Sequence, residues 1–393
     1  MKILQVHNEY RYPGGEEVVL AAEHSMLTQK GHQVSQWVQR NKSLKQLNIL
    51  GKAKTSLQSI WSYRSYRLAK RKIQEFLPDI VHVHNTLPLI TPSIYSACKD
   101  LEVPVVQTLH NYKFICPGSN LYRNEKVCED CVGKFIPIPA LMHGCYRRDY
   151  LSTFFAVSSL IFNRFRGAYR DEIDRYIALT DFAKNKFIEG GLPPHKVVVK
   201  PNFLKTNIEE GNHTGNYVLY VGRLIPQKGV HTLLKAWSVL NEPIPLKVVG
   251  QGALESLLTT EHLPKNVEYL GPLERKAVLE LMKEAKLLIF PTEWYEVFGL
   301  VLIEAFSTGL PVVASRIGGV VEIVKEGESG WHFTAGDAAD LARVVQAAWQ
   351  DITEIRRRGS IARQYYEKYY TQERNYQIIM DIYNSAIASI KHN

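Results

Sequence analysis

The sequence predicts an α/β protein built from two Rossmann-like, doubly wound domains that face each other across a cleft. Three observations carry this expectation. A chain of 393 residues with 45% hydrophobic and 22% charged content has an ordinary globular composition and suits about two cores. Short β-rich apolar runs alternate with helical periodicity along almost its whole length. These runs fall into two series, separated by a polar stretch containing Gly and Asn.

The first series reads KILQVHN (2–8), HQVSQWVQ (32–39), DIVHVHN (79–85), VPVVQTLHN (103–111), RYIALT (175–180) and KVVVKPNF (196–203). The second reads YVLYVGRL (217–224), PLKVVG (245–250), NVEYLG (266–271), KLLIFP (286–291), PVVASR (311–316) and GWHF (330–333). Strands alternating with helices imply parallel sheets covered on both faces. The expected organisation is a first domain over 1–204 carrying a Cys-containing insert at 116–145, a linker at 205–216, and a second domain over 217–370. A terminal helix over 371–393 is expected to pack back on the first domain. No apolar run approaches the roughly 20 residues of a membrane span, and the chain opens on a strand-like segment, so the expected location is the cytoplasm.

Ligands of open parallel sheets bind beyond the carboxyl ends of the strands, and the motifs gather there. In YVGRLIPQKGV, Arg223 and Lys228 follow a strand, where two cations suit a diphosphate, Arg by its planar fork and Lys as a point charge. In NEYRYPGGEEVV, Gly14 and Gly15 stand between the first strand and an amphipathic helix, where backbone can approach a phosphate. The stretch EVFGLVLIEAF holds Glu296 in a strand-end loop and Glu304 on a helix expected to begin near Phe298 and end at Gly309. If helical, that spacing separates the two carboxylates by roughly 12 Å. This exceeds the roughly 5 to 9.5 Å of a glycosidase acid/base pair. Each carboxylate instead suits one hydrogen-bonding task on a long polar ligand, with the orphan N–H groups of Phe298, Gly299, Leu300 and Val301 facing its negative charge. The apolar neighbours of Glu304 imply burial, and a buried glutamate needs a partner.

These residues resemble the retaining glycosyltransferases of the two-Rossmann-domain (GT-B) type, in the large family 4. The resemblance spans nearly the whole chain and rests on PGGEE, GRLIPQKGVHTLLKAW, VVGQGALESLL, VEYLGPL and, above all, EVFGLVLIEAFSTGLPVVASRIGGVVEIV with its two glutamates eight apart. It implies transfer of a hexose, with a UDP-sugar such as UDP-glucose as the favoured donor, to a glycan or lipid-linked sugar in polysaccharide synthesis. By the same resemblance Glu296 would hold donor-sugar hydroxyls and Glu304 the ribose. Arg223 and Lys228 would neutralise the diphosphate, aided by N–H groups from Phe298 to Val301, while Gly14 and Gly15 close on the phosphates. His110, in TLHNY at a strand end, resembles the histidine that approaches the donor sugar; a packing role for it stays open. No cofactor is required for such catalysis, and no two aspartates stand at i and i+2 as in a metal-binding DxD. A sugar-nucleotide epimerase of the same architecture, or a non-catalytic nucleotide-sugar binder, is the alternative. UDP and GDP are not distinguished by the sequence.

Two features fall outside this pattern. Cys116, Cys128, Cys131 and Cys145 lie within 30 residues, the middle two as CxxC, which suits a structural zinc site; free thiols or a disulfide remain open. From Arg40 to Lys72 ten cations stand without an acidic residue, interleaved with Leu, Ile, Trp and Tyr. This predicts peripheral association with an anionic membrane at its inner face and a lipid-linked acceptor, rather than nucleic acid.

Overall fold

The computed structural model describes residues 1–9, 14–40, 58–205, 208–259 and 263–391. The chain divides into two compact units, one of residues 1–121, 129–202 and 375–393, the other of 122–128 and 203–374.

In the first unit, β1 (Lys2–Glu9), β2 (Gln33–Arg40), β3 (Ile80–Asn85), β4 (Val105–Thr108), β7 (Arg175–Ala178) and β8 (Val197–Val199) form a parallel six-stranded sheet in the order β2-β1-β3-β4-β7-β8. Each β-rich run of the first series is one of these strands. β3 is buried at every position, so it reads as a continuous apolar run interrupted only by His82, His84 and Asn85. The last helix, Gln372–Lys391, lies with this unit from Asn375 onward, and Asn375 donates to the Pro201 carbonyl at 2.6 Å. A short antiparallel ladder, β5 (Tyr122–Arg123) with β6 (Lys126–Val127), groups with the second unit.

The second unit contains β9 (Val218–Val221), β10 (Leu246–Val249), β11 (Val267–Gly271), β12 (Leu287–Phe290), β13 (Val312–Ser315) and β14 (Gly330–Phe333), parallel in the order β11-β10-β9-β12-β13-β14. Along β12 successive side chains alternate between two separate cores: Leu287 and Ile289 join one, Leu288 and Phe290 the other. Both faces of the sheet are therefore covered, as a parallel sheet requires.

The polar stretch expected as a linker is instead bound into the second unit. Gly211 donates to the Thr308 carbonyl at 2.8 Å and His213 to that of Lys283 at 2.9 Å, while the His213 ring spans the carbonyls of Ala285 and Thr308. Polar composition there serves backbone hydrogen bonds rather than freedom of the chain. Residues 206 and 207 of that stretch lie outside the described residues.

None of the five cysteines is joined in a disulfide among the described residues. Among the described residues one group brings three metal-ligand atoms within 4.8 Å of one another, namely Glu23, His82 and His84. It includes none of Cys116, Cys128, Cys131 and Cys145, the residues expected from their spacing to hold zinc. Cys131 instead packs with Ala140 and Val157, with Cys145 against them.

Candidate functional site

The carboxyl end of β9 turns at Gly222, and the carboxyl end of β10 reaches Gly250 with φ +147°, where a Cβ would stand 1.8 Å from the Gly222 carbonyl. Only glycine lets the two strand-end loops meet this closely. Arg223 extends from the first loop, exposed and with no side-chain hydrogen bond or ion pair recorded among the described residues. Six residues on, Gly229 is left-handed, and a Cβ there would stand 1.8 Å from the Pro291 carbonyl at the end of β12. This close approach carries Lys228 to the loop that follows β12.

There Glu296, 7% exposed, accepts through Oε1 from the Lys228 ammonium, from the Trp294 indole at 2.8 Å and from the Thr292 hydroxyl at 3.4 Å. Arg223 and Lys228 thus separate in kind: one guanidinium is available to a ligand, and the other cation is held by a carboxylate. Four residues after Glu296 the helix Leu300–Thr308 begins, capped by Gly299 and ended by left-handed Gly309. Its start lies two residues later than the sequence implied. The orphan amides at its mouth are therefore those from Leu300 and Val301 onward, with Phe298 and Gly299 in the approach to it.

Glu304 lies in the second turn of that helix, and its Oε1 accepts from Arg275 Nε at 2.8 Å. Burial raises the Glu304 carboxyl above its usual range, and the Arg275 guanidinium opposes this. The partner demanded by burial therefore exists. Arg275 opens its own helix, Arg275–Glu284, and no motif marks it in the sequence.

In the first unit, Gly14 caps the helix Gly15–Gln29, but its N–H donates to Glu17 Oε2 at 2.7 Å. The amide expected to meet phosphate is engaged by the Glu17 carboxylate from the first turn of its own helix. His110 follows β4, and its Nε2 stands 3.0 Å from Nδ1 of His84. The other nitrogen of His84 lies 3.3 Å from Glu23 Oε2, while Glu23 Oε1 accepts from Lys200 at 2.8 Å. Glu23, His84 and Lys200 are fully buried or nearly so. Burial alone would raise the Glu23 carboxyl, but Lys200 with His84 and His82 outweighs it and holds the group well below its usual range. Burial, and then His84, pushes His110 well below the usual histidine range, so the imidazole is neutral at pH 7. Lys200 already supplies the positive charge beside Glu23, which leaves this trio with the chemistry of an ion pair rather than a metal centre.

The sequence reading passed over Glu23, His84, Lys200 and Arg275. One signal was present: His82 and His84 stand at i and i+2 in a buried strand, which puts both rings on one face, 4.2 Å apart.

Comparison with known proteins adds the lineage. The family described as "Glycosyltransferase Family 4" matches residues 13–207, and that described as "Glycosyl transferases group 1" matches residues 204–365. The chain is 35% identical over 154 residues to a glycogen synthase of Mycobacterium tuberculosis, covering 37% of each protein. It is 34% identical over 138 residues to a phosphatidyl-myo-inositol mannosyltransferase of Mycobacterium leprae, covering 34% of this chain and 37% of that protein. The matched stretches thus span little more than a third of these relatives. Among solved structures, Anabaena HepE in complex with UDP superposes with a TM-score of 0.68 at 20% identity, covering 98% of this chain and 100% of that one. Two parallel sheets with helices on both faces, strand-end loops bearing Arg223 and the Lys228–Glu296 pair, and these matches together place the chain in the GT-B glycosyltransferases of family 4.

Proposed function

We propose that this chain transfers a hexose from a nucleotide diphosphate sugar, with a UDP-sugar such as UDP-glucose as the donor, to a glycan or lipid-linked acceptor, retaining the anomeric configuration. The observation that carries this reading is the strand-end pair of loops in which Lys228 and Trp294 fix the Glu296 carboxylate while Arg223 stays exposed, just before the amino end of the helix Leu300–Thr308. HepE in complex with UDP and with UDP-glucose supports the choice of nucleotide.

Transfer builds negative charge on the departing diphosphate and positive charge on the sugar ring. Arg223 and the amides at the helix mouth are preorganised for the first of these, so no reorganisation is needed as the charge develops. Lys228 adds a second cation whose field Glu296 partly offsets. The carboxylate of Glu296 can only accept, which suits sugar hydroxyls, and that of Glu304 suits the ribose. We assign His110, as a neutral imidazole, to the transferred sugar. The leaving phosphate takes the acceptor proton, so no side chain is required as general base, and the charge at the donor is met without a divalent metal.

Glu296→Ala is expected to lower turnover with the nucleotide sugar while leaving affinity for free UDP unchanged or slightly tighter. The lost contact is absent from UDP, and the released Lys228 becomes available to its phosphates. Titration calorimetry with UDP, beside turnover of UDP-glucose, checks this; equal losses for both ligands would refute the assignment of Glu296 to the sugar.

No helix among the described residues is long and apolar enough to cross a membrane. In this reading a lipid-linked acceptor is reached from the surface of the bilayer. Of the basic run proposed for that contact, Lys42, Lys45, Lys52 and Lys54 lie outside the described residues, and the remainder centres on the helix Tyr63–Phe76.

A further inference from the structure

The helix Tyr63–Phe76 turns Ala69 and Ile73 into the fold, which leaves its cations outside and little apolar surface to enter a bilayer. The opposite arrangement occurs in the helix Tyr150–Phe165. Its buried positions are Thr153, Val157, Ser159, Leu160 and Asn163, while Leu151, Phe154, Phe162 and Phe165 are exposed, Phe165 to 83%. At 100° per residue those four fall within one stripe along the helix. A surface helix normally confines its apolar residues to the buried face; this one buries Val157 and Leu160 and carries a second apolar stripe on its exposed face.

The polar groups on the buried face are satisfied by hydrogen bonds. Asn163 Nδ2 donates to the carbonyls of Ile60 at 3.1 Å and Ser159 at 2.8 Å, and the Thr153 hydroxyl donates to that of Asp149 at 2.7 Å. The patch also continues beyond the helix. Arg164 clamps the carbonyls of Lys134, at 2.6 Å, and Phe135, at 3.1 Å, which places exposed Phe135 and Ile136 beside the helix end. Nine of the sixteen large apolar side chains exposed among the described residues lie between 135 and 165. So dense an apolar patch marks a surface that something covers.

Charge indicates what that is. Residues 134–166 contain five cations against one carboxylate, Asp149, and that carboxylate caps its own helix by accepting from Ser152 N–H at 2.6 Å. Lys134, Arg147 and Arg148 are exposed around the aromatic stripe. A two-fold contact with a second copy would bring these cations together with almost nothing to neutralise them. Aromatic side chains ringed by cations instead match the interface of an anionic bilayer, where rings enter the acyl boundary and cations meet the headgroups.

We propose that the helix Tyr150–Phe165 and the adjoining loop 134–138 form the membrane-docking face of this protein. The proposal locates the membrane contact within the reading above but does not rest on its chemistry. Flotation of the full chain with vesicles tests it, using phosphatidylcholine alone and mixed with phosphatidylglycerol, at low and high salt. The parent is expected to float with the anionic vesicles and to release as salt rises. The triple variant F154S/F162S/F165S is expected to lose binding by at least tenfold, and R147Q/R148Q to lose the preference for anionic vesicles. Far-ultraviolet circular dichroism and release of UDP from UDP-glucose in solution should match the parent in both variants, since neither touches the donor site. The proposal fails if the parent floats with neither vesicle, or if the aromatic variant floats like the parent. It also fails if the triple variant only converts a dimer to a monomer in sedimentation. Absence of UDP-glucose turnover with intact flotation would overturn the chemistry and leave the docking face standing.

Discussion

Lys200→Met is expected to cost about 3–5 kcal/mol of folding stability, because it strips the cation from a carboxylate that stays buried. Glu23 and Lys200 are fully enclosed, 2.8 Å apart, and Asn375 takes a further Lys200 hydrogen bond at 3.2 Å. The pH dependence gives a second, independent signature. In the parent the folded-state pKa of Glu23 lies well below its ordinary 4.5. Its contribution is therefore fully present above about pH 4.5 and is lost as pH falls through the range below. In Lys200→Met burial loses its main opponent and the carboxyl moves up. The folded state then holds a proton that the unfolded chain gives away, and stability falls as pH rises above about 4.5, the ordinary carboxyl value, towards the raised one. The deficit of the variant should accordingly be larger at pH 7.5 than at pH 5 in urea titrations followed by circular dichroism. A deficit below about 1 kcal/mol that does not change with pH would contradict the ion-pair account.

Glu304→Ala is expected to lower kcat/KM for the nucleotide sugar by an amount equivalent to about 2–4 kcal/mol, the worth of a charged group making two hydrogen bonds to a diol. Folding should survive, since Glu304 is on a helix whose packing rests on Leu302, Ile303, Ala305 and Phe306. Loss of the carboxylate also leaves Arg275, 41% exposed, free to turn into solvent. Arg223→Ala should cause a comparable loss through the diphosphate. If both variants stay within a few fold of the parent, the donor does not lie where these residues are.

The central strands were legible because they are buried on both faces of a parallel sheet, so that runs such as LLIF and VVAS carry the signal without help from their neighbours. The two-residue strands β5 and β6 were not, since two residues hold no periodicity. The stretch 205–216 misled for a definite reason: Gly and Asn are equally suited to a free linker and to a loop that ties its backbone to carbonyls at 283, 284 and 308. In the candidate site, Arg223, Lys228, Glu296 and Glu304 were readable from their place at strand ends and from the family pattern. That Lys228 would be tied to Glu296 was not, because it depends on Gly229 meeting Pro291 across the sheet. Glu23, His84 and Lys200 come from a helix, a strand and the residue that follows β8, the ion-pair partners being 177 positions apart, and only the fold brings them together.

The central claim, that this chain cleaves a nucleotide sugar at the Arg223–Glu296–Glu304 site and passes the sugar to an acceptor hydroxyl, is tested most directly by mass spectrometry. The purified protein is incubated with a panel of UDP- and GDP-hexoses and without added acceptor, so that water serves as a slow one. Release of UDP and free hexose from one donor, lost in Glu304→Ala and in Arg223→Ala, is the expected result. An epimerised nucleotide sugar with no free hexose, or hydrolysis that is unaffected by both substitutions, would contradict it.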